Sequence, residues 1–126
     1  MKRVWIGAAI LILLLTGGLL VTRHMGCTHR EISRELERAA LFAQAGNWEE
    51  AGDETEDAYE DWQAHWRFSA AFADHAPMEE IDALFAQLEA YRTARDGVSF
   101  AAVCRQLAKQ VNALGDAHGL TWWNLL

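Results

Sequence analysis

The chain has 126 residues, with 18 acidic against 11 basic side chains, a formal net charge of −7, two cysteines and one proline. So acidic a surface repels phosphate and anionic headgroups, which argues against nucleic-acid binding. Cys27 and Cys104 lie far apart and match no metal-ligand spacing, and the length allows one folded domain rather than two.

The first element is apolar. Val4 to Thr22 runs nineteen residues without a charge, after Met1-Lys2-Arg3. As a helix rising ~1.5 Å per residue it covers about 28 Å, close to the ~30 Å hydrocarbon core of a bilayer. Thr16 and Thr22 carry the only polar side chains, and a helical threonine can return its hydroxyl to a carbonyl one turn back. Residues 1–25 therefore read as a transmembrane anchor with a short basic start. A cleaved signal would be shorter and end in small residues, whereas Arg23 and His24 stand there; a lipoprotein signal ending at Cys27 would want an aliphatic residue where His24 is. Orientation is less constrained. Lys2 and Arg3 precede the span, Arg23, Arg30, Arg34 and Arg38 follow it, and the last three are interleaved with Glu31, Glu35 and Glu37. With that discount the reading is N-in, with the C-terminal domain extracytoplasmic.

Residues 28–126 form the second unit, an acidic helical domain of net charge about −10 by count. No alternating strand pattern occurs, and stop and start signals divide it into four helices. Thr28-x-x-Glu31 reads as a capping box opening the first, with Ile32, Leu36, Ala39, Ala40 and Ala43 on one face. Gly46 supplies a left-handed stop and Asn47-x-x-Glu50 opens the second helix at once, predicting an antiparallel hairpin. Its stripe is Trp48, Ala51, Thr55, Ala58, Tyr59, Trp62, His65, Trp66 and Phe72, ending near residues 74–76. Pro77 in a first turn, with Glu79 and Glu80, starts the third helix, lined by Ile81, Leu84, Phe85, Leu88 and Tyr91. Asp96-Gly97 stops it. Ser99 is expected to cap the fourth helix, with Val98 and Val103 as a hydrophobic staple, and Gly119 to end it. Phe100, Val103, Cys104, Leu107, Val111 and Leu114 line its inner face, so Cys104 reads as a small core hydrophobe, although export would permit a disulfide to Cys27. The fold class is all-α: a transmembrane helix followed by an antiparallel four-helix bundle of two hairpins.

Three sets of residues invite a functional reading. Glu49, Glu50, Asp53, Glu54, Glu56, Asp57, Glu60 and Asp61 place eight carboxylates in thirteen residues, opposite the tryptophan stripe. The plain reading is a solvated face; the sharper one is a docking surface for a basic partner, carried by Glu49, Glu50, Asp53, Glu54, Asp57 and Asp61. A straight helix wraps too few oxygens around calcium for cation binding to be preferred. Asp61 and His65, four apart, have the spacing of a metal-binding pair that His118 could complete, but aromatics with a histidine at the rim are more often core. The tail Leu120-Thr121-Trp122-Trp123-Asn124-Leu125-Leu126 is dense enough to need burial, against its own bundle, in the membrane interface where indoles settle, or in a partner groove. Trp122 and Trp123 join the acidic residues as candidate partner contacts.

The Lys-Arg start with one apolar span, Trp62 and Trp66 leading to Phe72 and His75, the Ile81/Leu84/Leu88 helix and the terminal Asn124-Leu125-Leu126 occur in an order and spacing that covers the whole chain. In these features the chain resembles a family of small single-pass membrane proteins of unknown function from Gram-positive, often spore-forming, bacteria. The resemblance implies an anchor and a helical domain, and carries over no catalytic residue.

No Ser-His-Asp, Cys-His or glycine-rich phosphate pattern assembles from the sequence. The expectation is a membrane-anchored, non-catalytic interaction or scaffold module, without catalytic residues, cofactor or metal, meeting the bilayer through residues 4–22 and a protein partner, itself plausibly of the membrane, through the domain. The alternative is an extracytoplasmic ligand- or metal-sensing domain using Asp61, His65, His75 and the acidic face.

Overall fold

The computed structural model describes residues 1–69 and 76–123, with side chains at 21–22, 24–27, 68–69 and 117–123 left aside. Four helices follow one another: α1 (Lys2–Gln44), α2 (Trp48–Ser69), α3 (Ala76–Ala94) and α4 (Gly97–Trp123). The fold class is as expected, with one difference. The apolar rod and the first bundle helix are a single helix of 43 residues, roughly 65 Å long at ~1.5 Å per residue. Thr28 is an interior residue of it and caps nothing. No proline stands between Thr22 and Thr28, and the one glycine, Gly26, costs a helix only about 1 kcal/mol. A break at Thr28 would instead orphan four carbonyls and four N–H groups.

Lys2–Leu20 has a mean hydropathy of 2.0, is covered by none of the other described residues, and is long and apolar enough to cross a membrane. The Thr16 hydroxyl donates to the Ile12 carbonyl one turn back, as expected for a helical threonine. Past Thr28 the same helix becomes one wall of the bundle. Ile32, Leu36, Ala39, Ala40 and Ala43 are buried in steps of three and four, meeting Ala51, Ala58 and Trp62 from α2, Met78, Ile81, Leu84, Phe85 and Leu88 from α3, and Phe100, Cys104, Leu107 and Val111 from α4. Cys104 is a free thiol within this core.

Neighbouring helices run antiparallel, α1 beside α2 and α4, α3 beside α4 and α2, with α1 and α3 diagonally opposed. The register is fixed by cross-helix pairs: Arg38 with Glu54, Trp62 with Asp82, Gln110 with Glu80, and Asn112 with Ser33. Small residues let α1 and α4 approach closely. A Cβ on Gly97 would stand 3.2 Å from the Ala43 carbonyl oxygen, and one on Gly115 3.2 Å from the His29 ring. By contrast α2 and α3 touch least, which leaves a groove between them. The antiparallel order gathers the start of α1's bundle half and the ends of α2 and α4 at the foot, from which the apolar rod projects.

The first turn is as expected. Gly46 is left-handed at φ 82°, the Asn47 N–H donates to the Phe42 carbonyl at 2.9 Å and the Gly46 N–H to the Ala43 carbonyl at 3.1 Å, the two bonds of a Schellman stop. The α3–α4 turn differs. Its left-handed residue is Arg95 (φ 53°), followed by the Asp96 N–H bonded to the Tyr91 carbonyl at 3.0 Å. Asp96, not Ser99, caps α4: its Oδ1 accepts the Ser99 N–H at 3.1 Å, and its carbonyl accepts the Phe100 N–H at 2.9 Å. Val98 is 82% exposed and staples nothing. At the other end α4 runs through Gly119 to Trp123, since one interior glycine is too weak a breaker to end a helix. Phe72, His75 and Asn124–Leu126 lie outside the described residues.

Candidate functional site

Polar side chains are buried only at the foot. Among the described residues the buried polar and charged ones are His29, Ser33, Glu35 and His65. Three lie on α1, where 29 and 33 share the apolar stripe of 32, 36, 40 and 43, and 35 flanks it one step toward α2. His65 stands one turn beyond Trp62 on α2. The geometry sorts them into two groups.

Toward the core, the His29 and His65 rings meet edge to face with centroids 4.4 Å apart, and His65 lies 5.8 Å from the Trp62 indole. The Asn112 amide donates to the Ser33 hydroxyl at 3.0 Å, tying α4 to α1 one turn above His29. The Trp62 N–H reaches Asp82 on α3 at 3.3 Å, so this fully buried indole keeps its polar edge satisfied.

Along the α1–α2 seam, carboxylates face carboxylates. Glu31 and Glu35 sit one turn apart on α1; Glu54, Asp57 and Asp61 are spaced by three and four on α2. Arg38 bonds Glu54 at 3.1 Å and closes the upper end of the row. Below it stands Glu35, only 7% exposed, with its Oε2 buried and lacking a hydrogen-bond partner among the described residues. Burial, and then the negative charges of Asp61, Glu31, Asp57 and Glu54, push its carboxyl up to about 7. Asp61 is half-buried and also raised, first by burial and then by Glu31 and Asp57. This arrangement can hold or release a proton near neutral pH. Among the described residues no three His, Cys, Asp or Glu side chains converge as a metal cage would require.

The acidic residues singled out in the sequence divide between two settings. Glu49, Glu50, Asp53 and Asp57 are exposed, with Glu49 and Glu50 in the first turn of α2 where the helix dipole favours them. Glu54 and Asp61 turn inward to α1, and Asp57, though exposed, borders the same seam. The eight carboxylates therefore do not form one uniform outer face. Trp122 and Trp123 fall in the last turn of α4, their side chains outside those described, as are those of His75 and His118. Asp61 and His65 share a seam, and the His65 ring meets that of His29. Sequence reasoning missed Glu35, His29, Ser33 and Asn112. The available signal was polar residues at apolar spacing on α1, and acids one turn apart on two helices of one hairpin.

The α2–α3 groove encloses about 400 Å³, lined by Thr55, Glu56, Tyr59, Phe85, Glu89 and Arg92 among others. Tyr59 and Phe85 stack edge to face at 5.1 Å along it. Arg92, bonded to Glu89 at 3.0 Å, lies over Gly52, filling the space a side chain there would take.

No curated protein and no solved structure matches the chain. Its helical bundle and the last residues of the apolar rod fall within one match to a family, over residues 19–125, and the chain belongs to that family, described as a domain of unknown function (DUF4363).

Proposed function

We propose that this chain is a membrane-anchored, non-catalytic helical module that holds a protein partner beside the bilayer. The supporting observation is α1, one helix that is a bare apolar rod over Lys2–Leu20 and a wall of the bundle from Thr28 onward. Among the described residues nothing covers the rod, and burying ~20 such residues in lipid is the outlet for its exposed apolar surface. A partner docked on the bundle would thereby be held close to the membrane and in a fixed orientation to it.

The N-terminus would remain inside and the bundle outside the cytoplasm. The docking surface would be the exposed acids at the head of α2, Glu49, Glu50 and Asp53, which make no ion pair among the described residues and suit a basic partner. Crosslinking in native membranes followed by capture of the full chain tests this. A specific heteromeric band that weakens on Glu49→Lys/Glu50→Lys/Asp53→Lys supports it; monomer alone under several crosslinker chemistries counts against it. A reporter fused after Leu126 fixes the side.

A second reading, a sensing domain, is favoured by the buried titratable groups at the foot, which a purely mechanical bundle has no use for.

A further inference from the structure

A buried carboxylate among like charges needs a partner. Glu35 is enclosed to more than nine-tenths, its Oε2 has no donor among the described residues, and the charges nearest it are acidic, Arg38 being turned to Glu54. The groups facing it are Glu31 and Arg38 on its own helix, and Glu54, Asp57 and Asp61 on α2, with His29 and His65 one to two turns closer to the rod. Arg38, the one cation of the row, is committed to Glu54 at 3.1 Å. The α4 groups meet α1 on its other flank: Asn112 takes Ser33, Arg105 bonds Gln44 at 3.3 Å, and Lys109 and Asp116 line a separate surface with Glu37. Among the described residues, no Lys or Arg of α3 or α4 is bonded to an acid of this seam.

Metal is a poor occupant, because the acids lie in two rows on straight helices and converge on no common point. A proton needs no such cage. Bound to Glu35, it removes one charge from the row and turns an unpartnered acceptor into a donor, to an oxygen of Asp61 or to trapped water.

We propose that Glu35, facing Asp61 across the α1–α2 seam, is a proton-binding site that closes the foot of the bundle when occupied and loosens it when empty. The exchange is a protonation alone, from solvent to carboxylate and back, so it needs no co-reactant. It gives the sensing reading a definite ligand, and because α1 continues into the apolar rod, the loosened element is the rod's own helix. The proposal rests on the seam and not on the anchor or on a partner, so a chain that captures nothing in crosslinking can still respond to pH.

The sign follows from the raised carboxyl. A folded-state value near 7 against an ordinary 4.5 means that the folded state binds the proton more tightly. Stability therefore rises as pH falls from above 7 toward 4.5, and is lost as pH rises through 7. Between pH 8 and pH 6 the closed seam should gain on the order of tenfold in population over its open state.

Hydrogen exchange on the full chain in micelles, corrected for intrinsic amide chemistry, tests this over residues 28–44 and 51–67. Protection about tenfold higher at pH 6 than at pH 8 is expected. Glu35→Gln, of the same shape and permanently neutral, should be as protected at pH 8 as the wild type is at pH 6, with little dependence left. Asp61→Asn should keep the response but move its midpoint to lower pH, and Glu37→Gln, on an exposed position toward α4, should leave it unchanged. Wild-type protection that is flat or falls on acidification, or a Glu35→Gln chain with the full wild-type response, would overturn the proposal. If Glu35→Gln is too unstable to study, the Asp61→Asn midpoint decides alone.

Discussion

At the scale of single residues, the bundle spends its large side chains on the core and its polar burials on one end. Trp62 is fully buried and gives its N–H to Asp82, so it fills volume and links α2 to α3 at once. Trp62→Ala should lower stability by about 3–5 kcal/mol, and Trp62→Phe by clearly less, since Phe restores most of the volume and loses the bond. Urea unfolding in micelles checks the order; equal losses would mean that the hydrogen bond and not the indole's volume dominates. Cys104 is the matching case for reactivity. It lies wholly inside, and burial pushes its thiol up to about 12, with the nearby Arg105 offsetting only part. In a Cys27→Ser background at pH 8 it should react with maleimide at least about a hundredfold more slowly than in denaturant, because reaction must await opening. Native labelling at the denatured rate would mean that α4 is not packed on α1 as described.

At the scale of elements, what the sequence made legible depended on whether a signal was local. Gly46 was readable as a helix stop because a left-handed position next to a new helix start has a compositional signature, and the stop is there. The inner faces of α3 and α4 were readable from period alone, and only Met78, Ala101 and Ala108 joined them unannounced. Two boundaries misled because a motif was present without its context. Thr28-x-x-Glu31 has the composition of a capping box, but a helix arriving from upstream has no orphan N–H groups to cap. Ser99 had the right chemistry three residues too late, and Asp96 took the role because Arg95 turned left-handed without a glycine. Glu35 was illegible for a different reason: among alternating Arg and Glu it looks like a surface residue, and only the packing of α2 shows that it is covered. The Asp96 cap carries its own prediction. The Ser99 hydroxyl and N–H, with the Val98 N–H, hold its carboxyl below the ordinary range. A lowered folded-state value means that the cap stabilises α4 above the ordinary carboxylate range and is lost as pH falls through it. Asp96→Ala should lower the melting temperature at pH 7, Asp96→Asn should largely preserve it, and the gap between wild type and Asp96→Ala should close in acid. A gap independent of pH would place the effect in the turn rather than in the charge.

At the scale of the whole molecule, the decisive feature is that rod and bundle share a backbone. Had a loop joined them, the bundle could take any attitude to the membrane, and events at its foot would stop there. A single helix makes the two parts one lever, so that tilt or rotation of the proposed anchor and opening of the α1–α2 seam act on the same element. The claim is one of distance, and a distance can be measured. Leu11 and Leu41 are both exposed and stand thirty residues apart on α1. At ~1.5 Å per residue their backbones are about 45 Å apart along an unbroken helix. Spin labels at these two positions, in a Cys27→Ser/Cys104→Ala chain, should give one narrow distribution near that separation by pulsed electron resonance. Gly26→Pro removes a helical hydrogen bond and crowds the preceding turn, at a cost of about 3 kcal/mol, and should shorten and broaden the distribution. Because the lesion lies below the first buried bundle residue, exchange protection beyond residue 32 should be unaffected. A wild-type distribution already as broad as the Gly26→Pro one would mean that a hinge separates rod from bundle, and that a proton taken up at Glu35 moves the hairpin without moving the rod.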